Sequence, residues 1–304
     1  MSLEFKRIAM IGFGEAGTIL GTDLAAAGCT VATYDILFDA PESRAAMRAK
    51  ADRAKVRAVD TLAAAVEDAQ LVISAVTASS SGDVAAKAAR TMRPGQILLD
   101  INSCSPGKKQ SSAQSLETCG ADYVEAAVMA PVPPQRLKVP MLLGGRRAAE
   151  VAPALTSLGM NAKAIADKIG VASAVKMCRS VVIKGIEALA VESMLAARAF
   201  GAEEQVLASL DQTYPGMGWD KALPDYLISR VAEHGRRRAA EMREVARTLR
   251  DVGISPLMAS ATAERQDFLI DEMTAHGIGY EQDEPFSWRA LADVLAADRK
   301  TRAS

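Results

Sequence analysis

Three glycines near the start of the chain have the spacing G-x-G-x-x-G, in the hexapeptide GFGEAG of residues 12–17. In a strand–turn–helix unit the first glycine permits a tight turn and the second lets a pyrophosphate approach the backbone. The third lets the helix pack against the strand, and the helix N-terminus offers free N–H groups and the positive end of a dipole. The loop is therefore predicted to bind a dinucleotide through Gly12, Phe13, Gly14, Glu15, Ala16 and Gly17. The alternative is a glycine-rich turn without a ligand.

Asp35 follows the second apolar run, close to the spacing expected for the acidic residue of a dinucleotide-binding unit. A carboxylate at this place accepts hydrogen bonds from both hydroxyls of the adenosine ribose and repels a 2′-phosphate. No basic residue follows directly in the segment 36–39, so the sequence favours NAD over NADP. Arg44 could fold back and weaken that preference, and a turn-forming aspartate is the alternative interpretation.

Polar residues also follow the fourth and fifth apolar runs. Val76 and Thr77 come after the fourth, and Asn102 and Ser103 begin the polar cluster NSCSP after the fifth. In a doubly wound sheet the ligand lies across the carboxyl ends of the strands. We therefore expect Val76, Thr77 and Asn102 to contact the cofactor and Ser103 to contact the substrate, unless NSCSP is a plain turn.

A further candidate for chemistry is the stretch GVASAVKMCRSVVIKGIEA, residues 170–188, which combines an apolar helical pattern with charged residues. At about 100° per residue, one narrow stripe of this helix carries Ser173, Lys176, Ser180, Lys184 and Glu187. Charged residues on a helix are usually solvated, so the stretch by itself favours the wet side of a surface helix. The alternative, a polar wall that faces a bound molecule, depends on the rest of the chain.

The elements that hold these residues alternate between strands and helices through the first half of the chain. Apolar runs predict strands at 7–12, 30–35, 55–60, 71–76, 96–101, 123–129, 140–145 and 162–167. Ala-rich stretches predict helices at 41–54, 61–69, 81–92 and 109–119. This alternation, with continuously apolar strands, is typical of a parallel sheet covered by helices on both faces.

After residue 168 the strand pattern ends, and the rest of the chain is almost entirely helical. Segments with glycine or proline interrupt the helices at 214–220, 251–256 and 276–285. The sequence therefore predicts an α/β Rossmann-type domain with a parallel sheet over residues 1–168, and an all-α domain over residues 169–304. The stretch 170–200 is apolar around most of its circumference, which predicts a homodimer built on the helical domain.

The composition argues against several other classes of protein. The formal net charge of −1 over 304 residues gives no electrostatic footprint for nucleic acid or an anionic membrane. Four cysteines without paired spacing and two histidines suggest neither a disulfide scaffold nor a zinc site. No apolar segment resembles a signal peptide or is long enough to span a bilayer. We expect a cytoplasmic protein that acts on a small molecule and binds no metal, no nucleic acid and no membrane.

The motifs together resemble the β-hydroxyacid dehydrogenases. The resemblance rests on the N-terminal glycine loop, the D-x-x-S-x-x-P segment of residues 100–106 and the G-x(5)-K segment of residues 170–176. In the helical half, LDQTYPGMGW, HGRRRAAEMREVA and ATAERQ look like a subgroup called phosphogluconate dehydrogenase-like. The resemblance implies an NAD(P)-dependent dehydrogenase or reductase that interconverts an alcohol, such as a hydroxy acid, and a carbonyl.

In this family, a lysine in the helix that opens the second domain faces the nicotinamide. It acts as general base when an alcohol is oxidised and as general acid when a carbonyl is reduced, a role that suits a lysine whose pKa burial has lowered. Lys176 occupies that position, and Ser180 stands where the family usually has an asparagine. The resemblance thus makes the stripe the wall of an active-site cleft, with Lys176 and Ser180 as catalytic residues. Lys184, two turns further along, is either substrate-orienting or a structural charge.

The segment after the sixth predicted strand departs from the family pattern. The family has S-G-G there, with N–H groups that hold the substrate carboxylate, whereas this chain has MAP at residues 129–131, followed by VPP. Proline has no N–H, so these residues do not form an anion cradle. We expect a larger, apolar pocket at Met129 and Pro131, with Arg179 or Lys184 meeting an anionic group, and a substrate bulkier than 3-hydroxyisobutyrate. A rigid loop is the alternative.

Two further functions fit the same sequence. One is imine reduction on the same fold, against which the retention of Lys176 argues mildly. The other is a regulatory protein that binds NAD without turnover, because both the S-G-G segment and the asparagine are replaced.

Overall fold

The computed structural model describes residues 3–282 and 284–302, and the chain divides into two compact units. The first unit extends to Met177, and the second begins at Cys178. This division falls inside the long helix Val171–Phe200, and the predicted domain boundary at residue 168 precedes that helix. Asp283, in the predicted interruption 276–285, and residues 303–304 of the predicted helical domain lie outside the described residues.

The first unit is built on one eight-stranded sheet with the order β3-β2-β1-β4-β5-β6-β7-β8. Its strands are β1 (Arg7–Ile11), β2 (Thr30–Tyr34), β3 (Arg57–Ala58), β4 (Leu71–Ser74), β5 (Ile97–Asp100), β6 (Asp122–Val128), β7 (Pro140–Gly144) and β8 (Asn161–Ala166). Each predicted apolar run is confirmed as a strand, within narrower or slightly shifted bounds. The run 55–60 retains only two residues in the sheet, which pair with β2 at the edge.

Helices connect the strands of this unit. They are α1 (Glu15–Ala26), α2 (Pro41–Arg53), α3 (Leu62–Val66), α4 (Ser81–Ala89), α5 (Pro106–Glu117), α6 (Val132–Gln135) and α7 (Ala148–Ser157). Ile8 and Met10 of β1 belong to one apolar cluster, and Ala9 and Ile11 belong to another. Because successive side chains of a strand point to opposite faces, apolar packing covers both faces of the sheet, as predicted.

The sheet is mostly parallel but differs from the predicted parallel sheet at one edge. Strand β7 runs antiparallel to β6, and β8 pairs with β7 in parallel. The connection from β6 to β7 contains only α6 and the 3-10 turn Arg136–Lys138. A parallel return needs a crossover, usually through a full helix, and this short connection instead turns the chain back on itself.

The second unit is helical, as predicted. Its helices are α8 (Val171–Phe200, which begins in the first unit), α9 (Glu203–Thr213), α10 (Leu223–Asp251), α11 (Leu257–Ala275) and α12 (Trp288–Arg302). The predicted interruptions are confirmed, and the sequence pattern missed a further turn at Gly201. An apolar cluster that includes Val191, Ile228 and Trp288 forms the core of this unit.

The glycine loop joins β1 to α1 by close backbone contacts. Gly12 has φ of +92°, and a Cβ there would lie 2.4 Å from the carbonyl oxygen of Ala75. A Cβ on Gly17 would lie 2.0 Å from the carbonyl oxygen of Gly12, whereas a Cβ on Gly14 would meet no atom within 4 Å. The turn role of Gly12 and the packing role of Gly17 are therefore confirmed. Gly14, the residue directly before α1, leaves open space at the helix N-terminus.

Alanine at residue 17 is expected to destabilise the protein, because its methyl group would push two backbone segments apart. We expect a loss of about 1–3 kcal/mol in the free energy of unfolding, as is typical of overpacking, measured by urea denaturation without added ligand. Gly14→Ala is the matched control and should cost less than about 1 kcal/mol, the usual difference between these residues at a helix N-cap. Equal losses in the two variants would contradict this account of the loop.

Candidate cofactor-binding and catalytic site

The glycine loop and Asp35 lie together at the carboxyl edge of the sheet. The strand order reverses between β1 and β4, which is the point where open α/β sheets bind ligands. The N–H of Gly12 donates to the carbonyl of Tyr34 at 2.9 Å. The N–H of Phe13 donates to Asp35 Oδ2 at 2.6 Å, and that of Leu37 donates to Asp35 Oδ1 at 2.9 Å. Each carboxylate oxygen has a second lone pair with which to accept a ribose hydroxyl.

Arg44 is held away from this carboxylate by the turn that follows β2. Its Nε donates to the carbonyl of Phe38 at 2.7 Å, and its Nη2 donates to the carbonyl of Asp39 at 2.9 Å. Both contacts are local, within six residues along the chain. The guanidinium is therefore engaged by the turn rather than by Asp35.

Asn102 joins the ends of β4 and β5 through its side-chain amide. Its Oδ1 accepts from the N–H of Val76 at 2.6 Å. Its Nδ2 donates to Ser74 Oγ at 2.9 Å and to Asp100 Oδ1 at 2.7 Å. The structure thus brings the predicted cofactor residues Val76 and Asn102 together, and it uses both amide donors of the buried Asn102 inside the protein.

A buried polar network beneath Asn102 was missed by the sequence analysis. Lys109 of α5 is 1% exposed, and its Nζ lies 2.8 Å from Asp100 Oδ1 and 2.9 Å from the carbonyl of Asp100. Tyr123 of β6 donates to Asp100 Oδ2 at 2.6 Å. Burial and the neighbouring Asp100 carboxylate raise the pKa of Tyr123 well above its usual value. An acidic residue at the end of an otherwise apolar run, as in QILLDI, was the available signal.

The remaining predicted residues of this edge lie in loops. Thr77 Oγ1 shares hydrogen bonds with Ser79 Oγ at 2.9 Å and Ser80 Oγ at 3.0 Å, and Ser103 is partly exposed. Met129 donates its N–H to the carbonyl of Pro140 at 2.9 Å, and the exposed Pro131 directly precedes α6. These residues lie in the loops that follow the carboxyl ends of β4, β5 and β6.

The loop after β6 is tied to α1. Arg136, which follows α6 with φ of +53°, pairs with Asp23 of α1 through its Nε at 3.0 Å and through its Nη2. The proline-containing segment that replaces the family's S-G-G is therefore anchored at its far end to the helix that follows the glycine loop.

The first turn of α8 is fixed to β6 by a second residue that the sequence analysis missed. Glu125 is 0% exposed, and its carboxylate accepts hydrogen bonds from the N–H groups of Gly170, Ala172 and Ser173. Lys176 lies on the next turn of the same helix and is partly exposed. The acidic residue inside the apolar run YVEAAVM was the signal that could have drawn attention to Glu125.

The polar stripe continues into the second unit, where most of it is buried. Ser180, Lys184 and Glu187 are buried, as is Ser173 in the first unit, so the interpretation of the stripe as a solvated face is wrong for these residues. Arg179, next to the stripe, is exposed.

Lys184 and Glu187 each have a partner in α10. Lys184 Nζ pairs with the carboxylate of Glu241, and Glu187 forms a two-bond ion pair with Arg238. Burial lowers the pKa of Lys184, against the opposing effect of Glu241. The charge of Lys184 is thus already met within the second unit, which is the structural role considered for it above.

Two observations concern other kinds of site. Among the described residues, no group of three or more His, Cys, Asp or Glu side chains is arranged to hold a metal ion. Within 3–282 and 284–302, none of the helices combines the length and the apolar character needed to cross a membrane.

Comparisons with known proteins find several of the same fold. A conserved hypothetical protein from Sinorhizobium meliloti 1021 is 38% identical, with 95% of each chain covered and a TM-score of 0.77. The conserved protein MTH1747 of unknown function, described as structurally similar to 3-hydroxyacid dehydrogenases, is 30% identical over 87% of this chain and 97% of its own, with a TM-score of 0.71. The Mycobacterium tuberculosis 3-hydroxyisobutyrate dehydrogenase, solved with L-serine, shares the fold at 17% identity over 95% of this chain and 98% of its own, with a TM-score of 0.72.

Family models match both units. A domain of unknown function, DUF1932, matches residues 197–269 of the helical unit. The NAD binding domain of 6-phosphogluconate dehydrogenase matches residues 7–168, which span β1 to β8 and include the glycine loop, Asp35 and Asn102. The chain therefore belongs to the family of proteins that carry the NAD binding domain of 6-phosphogluconate dehydrogenase.

Proposed function

We propose that this protein is an NAD-dependent oxidoreductase that interconverts an alcohol and a carbonyl, with Lys176 as the general acid or base. The observation that carries the proposal is the open backbone at Gly14, directly before α1 and beside the Asp35 carboxylate. A side chain would fill this space, and its absence leaves room for a pyrophosphate at the helix N-terminus.

The residues of the loop divide the work of holding the dinucleotide. The first N–H groups of α1, from Glu15 onward, would hold the pyrophosphate, and Asp35 would accept the adenosine ribose hydroxyls. The nicotinamide, when bound, supplies the hydride acceptor or donor. Val76 and Asn102 would border the nicotinamide end, because they follow the neighbouring strands β4 and β5.

Lys176 would exchange the proton that accompanies the hydride. In oxidation it takes the hydroxyl proton as the hydride leaves the carbon, and in reduction it returns a proton to the carbonyl oxygen. Ser180 lies four residues further along α8, on the same helix face, and would accept a hydrogen bond from Lys176 or donate one to the substrate. Among the residues of the stripe, Lys176 differs from Lys184 in being partly exposed.

The substrate is proposed to be a hydroxy or oxo compound bulkier than 3-hydroxyisobutyrate. Three prolines among residues 131–134 leave few N–H groups after β6 for an anion, and Met129 and Pro131 add apolar surface. The exposed Arg179 remains to meet an anionic group, since Lys184 is paired with Glu241. The alternative is a regulatory protein that binds NAD without turnover. Such a protein would give no change in nicotinamide absorbance with any compound of the substrate screen described below.

A homodimer through α8 is part of the proposal. Val175, Val182 and Leu189 are exposed and recur every seven residues along one line of the helix, and Ile183 beside them is also exposed. Large apolar side chains in such a row are typical of a helix that packs against another helix.

NADH should bind more tightly than NADPH. A 2′-phosphate beside Asp35 brings like charges together, and so we expect the Kd for NADPH to be at least about tenfold higher, which corresponds to about 1.4 kcal/mol or more. Fluorescence titration with the two cofactors measures this difference. Asp35→Asn is the matched control, since it keeps an acceptor for the N–H of Phe13 and removes the charge. In this variant the Kd values for NADH and NADPH should be closer together. Equal or tighter NADPH binding by the wild-type protein would refute the assignment.

Replacing Lys176 by methionine should lower kcat by about 10²- to 10⁴-fold, the usual contribution of general acid–base catalysis. Carbonyl, alcohol and imine substrates are screened first by nicotinamide absorbance, and an isotope effect establishes that hydride transfer limits the rate. The Kd for NADH should change little. Lys184→Met removes the same group from a buried position paired with Glu241, so it should lower the melting temperature and leave kcat nearly unchanged. Wild-type kcat in the Lys176 variant would remove this lysine from the mechanism.

Light scattering at micromolar concentration should give the mass of a dimer. Val182→Glu should shift the protein towards the monomer, because it places a charge in the middle of the apolar row, where the side chain is 60% exposed in the single chain. Val294→Glu, the same substitution at an exposed valine of α12, is the control. A monomer mass for the wild-type protein would exclude this interface.

A further inference from the structure

Glu125 is a buried carboxylate that faces the N-terminus of a helix from a neighbouring strand. It lies in the middle of β6 and is 0% exposed. Its Oε1 accepts from the N–H of Gly170 at 2.7 Å and from that of Ala172 at 3.0 Å, and its Oε2 accepts from the N–H of Ser173 at 3.3 Å. One side chain therefore satisfies three backbone donors at the start of α8.

Helix α8 depends on this external carboxylate because it has no acidic residue in its own first turn. Glycine precedes the helix at residue 170 with φ of +105°, and it has no side chain to cap the free N–H groups. A buried charge is costly unless hydrogen bonds compensate it, and a helix N-terminus supplies both N–H donors and the positive end of a dipole. The contact therefore stabilises Glu125 and the first turn of α8 together.

The backbone around this carboxylate is shaped to admit it. A Cβ on Gly144 of β7 would lie 2.5 Å from Glu125 Oε1, so any larger residue there would displace the carboxylate. On the other side, Gln110 Nε2 donates to the carbonyl of Ile169 at 3.2 Å, which holds the chain just before the helix. The start of α8 is thus held by contacts from β6 and α5, with space provided by β7.

We propose that Glu125 is a positioning residue for Lys176, which fixes the height and rotation of the first turn of α8 relative to the sheet. The inference rests on the proposed function of Lys176. Glu125 accepts a hydrogen bond from the N–H of Ser173. Ser173 is three residues before Lys176 and lies on the same helix face. A shift of the first turn therefore moves the ammonium group, and a misplacement of about 1 Å at a reacting group can cost on the order of 10²-fold in rate.

Two variants disturb this contact in different ways. Glu125→Gln keeps the size of the side chain but removes its charge and turns an amide NH₂ towards backbone donors. Gly144→Ala keeps Glu125 in the sequence, and its methyl group would displace the carboxylate and also crowd the carbonyl of Lys168, at 3.0 Å from the new Cβ. Both variants disturb the contact between Glu125 and the start of α8, so each should lower kcat by about 10- to 100-fold. The double variant should have a kcat close to that of either single variant. The Kd for NADH should stay within about twofold, since the glycine loop and Asp35 lie on other strands.

Asp122→Asn is the matched control on the same strand. Asp122 is partly buried at the start of β6, and its carboxylate pairs with Arg146 and Arg147. This variant should lower the melting temperature while leaving kcat and the first turn of α8 unchanged. An equal loss of kcat in Asp122→Asn would show that general destabilisation explains the result, and it would overturn the positioning role.

Two measurements without turnover separate this inference from the proposed function. Hydrogen exchange of the amides at 170–173 should lose protection by at least about tenfold in Glu125→Gln and not in Asp122→Asn. Acetylation of Lys176, followed by mass spectrometry against Lys87 as reference, should become several-fold faster as the turn loosens. If the wild-type protein turns over no substrate but both changes occur, the proposed function fails and the positioning stands. Unchanged hydrogen exchange at 170–173 in Glu125→Gln would overturn the positioning role. Unchanged acetylation of Lys176 together with a wild-type kcat would also overturn it.

Discussion

The carboxylate of Asp100 joins three neighbouring strands at the edge of the sheet on which the candidate site is built. It ends β5, accepts from Tyr123 of β6, pairs with Lys109 of α5 and, through Asn102, reaches the N–H of Val76 after β4. A buried charge with this many partners has one low-energy geometry, because any change leaves a group unsatisfied in a medium of low dielectric constant. The positions of the loops after β4 and β5 follow from it.

The same physical solution recurs at two other carboxylates of this unit. Asp35 accepts N–H groups from the glycine loop and from the turn after β2, and Glu125 accepts them from the start of α8. Backbone donors are free at loops and at helix N-termini, where the helix itself offers no acceptor. An acidic side chain can therefore fix a loop or a helix start relative to the sheet without a bulky core.

The sequence predicted the parts of the site that depend on local chemistry. The roles of Gly12 and Gly17 follow from backbone geometry within one strand–turn–helix unit, and the apolar runs locate all of the strands. The sequence missed what depends on distant partners. The partner of Lys184 is Glu241, 57 residues away along the chain. The direction of β7 was missed for another reason, because an apolar run does not show which way its strand runs. Periodicity shows that polar residues share a helix face, but not what covers that face.

The departures from the family pattern fall on the substrate side of the proposed site. The glycine loop and Lys176 belong to the motifs by which the sequence resembles the family, whereas residues 129–131 and Ser180 stand where the resemblance implies other residues. The lysine of the proposed proton transfer lies one turn beyond a helix start that a buried carboxylate holds in place. A buried carboxylate is costly only where hydrogen bonds do not compensate it, and a group that transfers a proton must be placed accurately. Under the proposed function, the proton transfer therefore rests on a helix start that is held in place, and the change of substrate rests on the loop after β6.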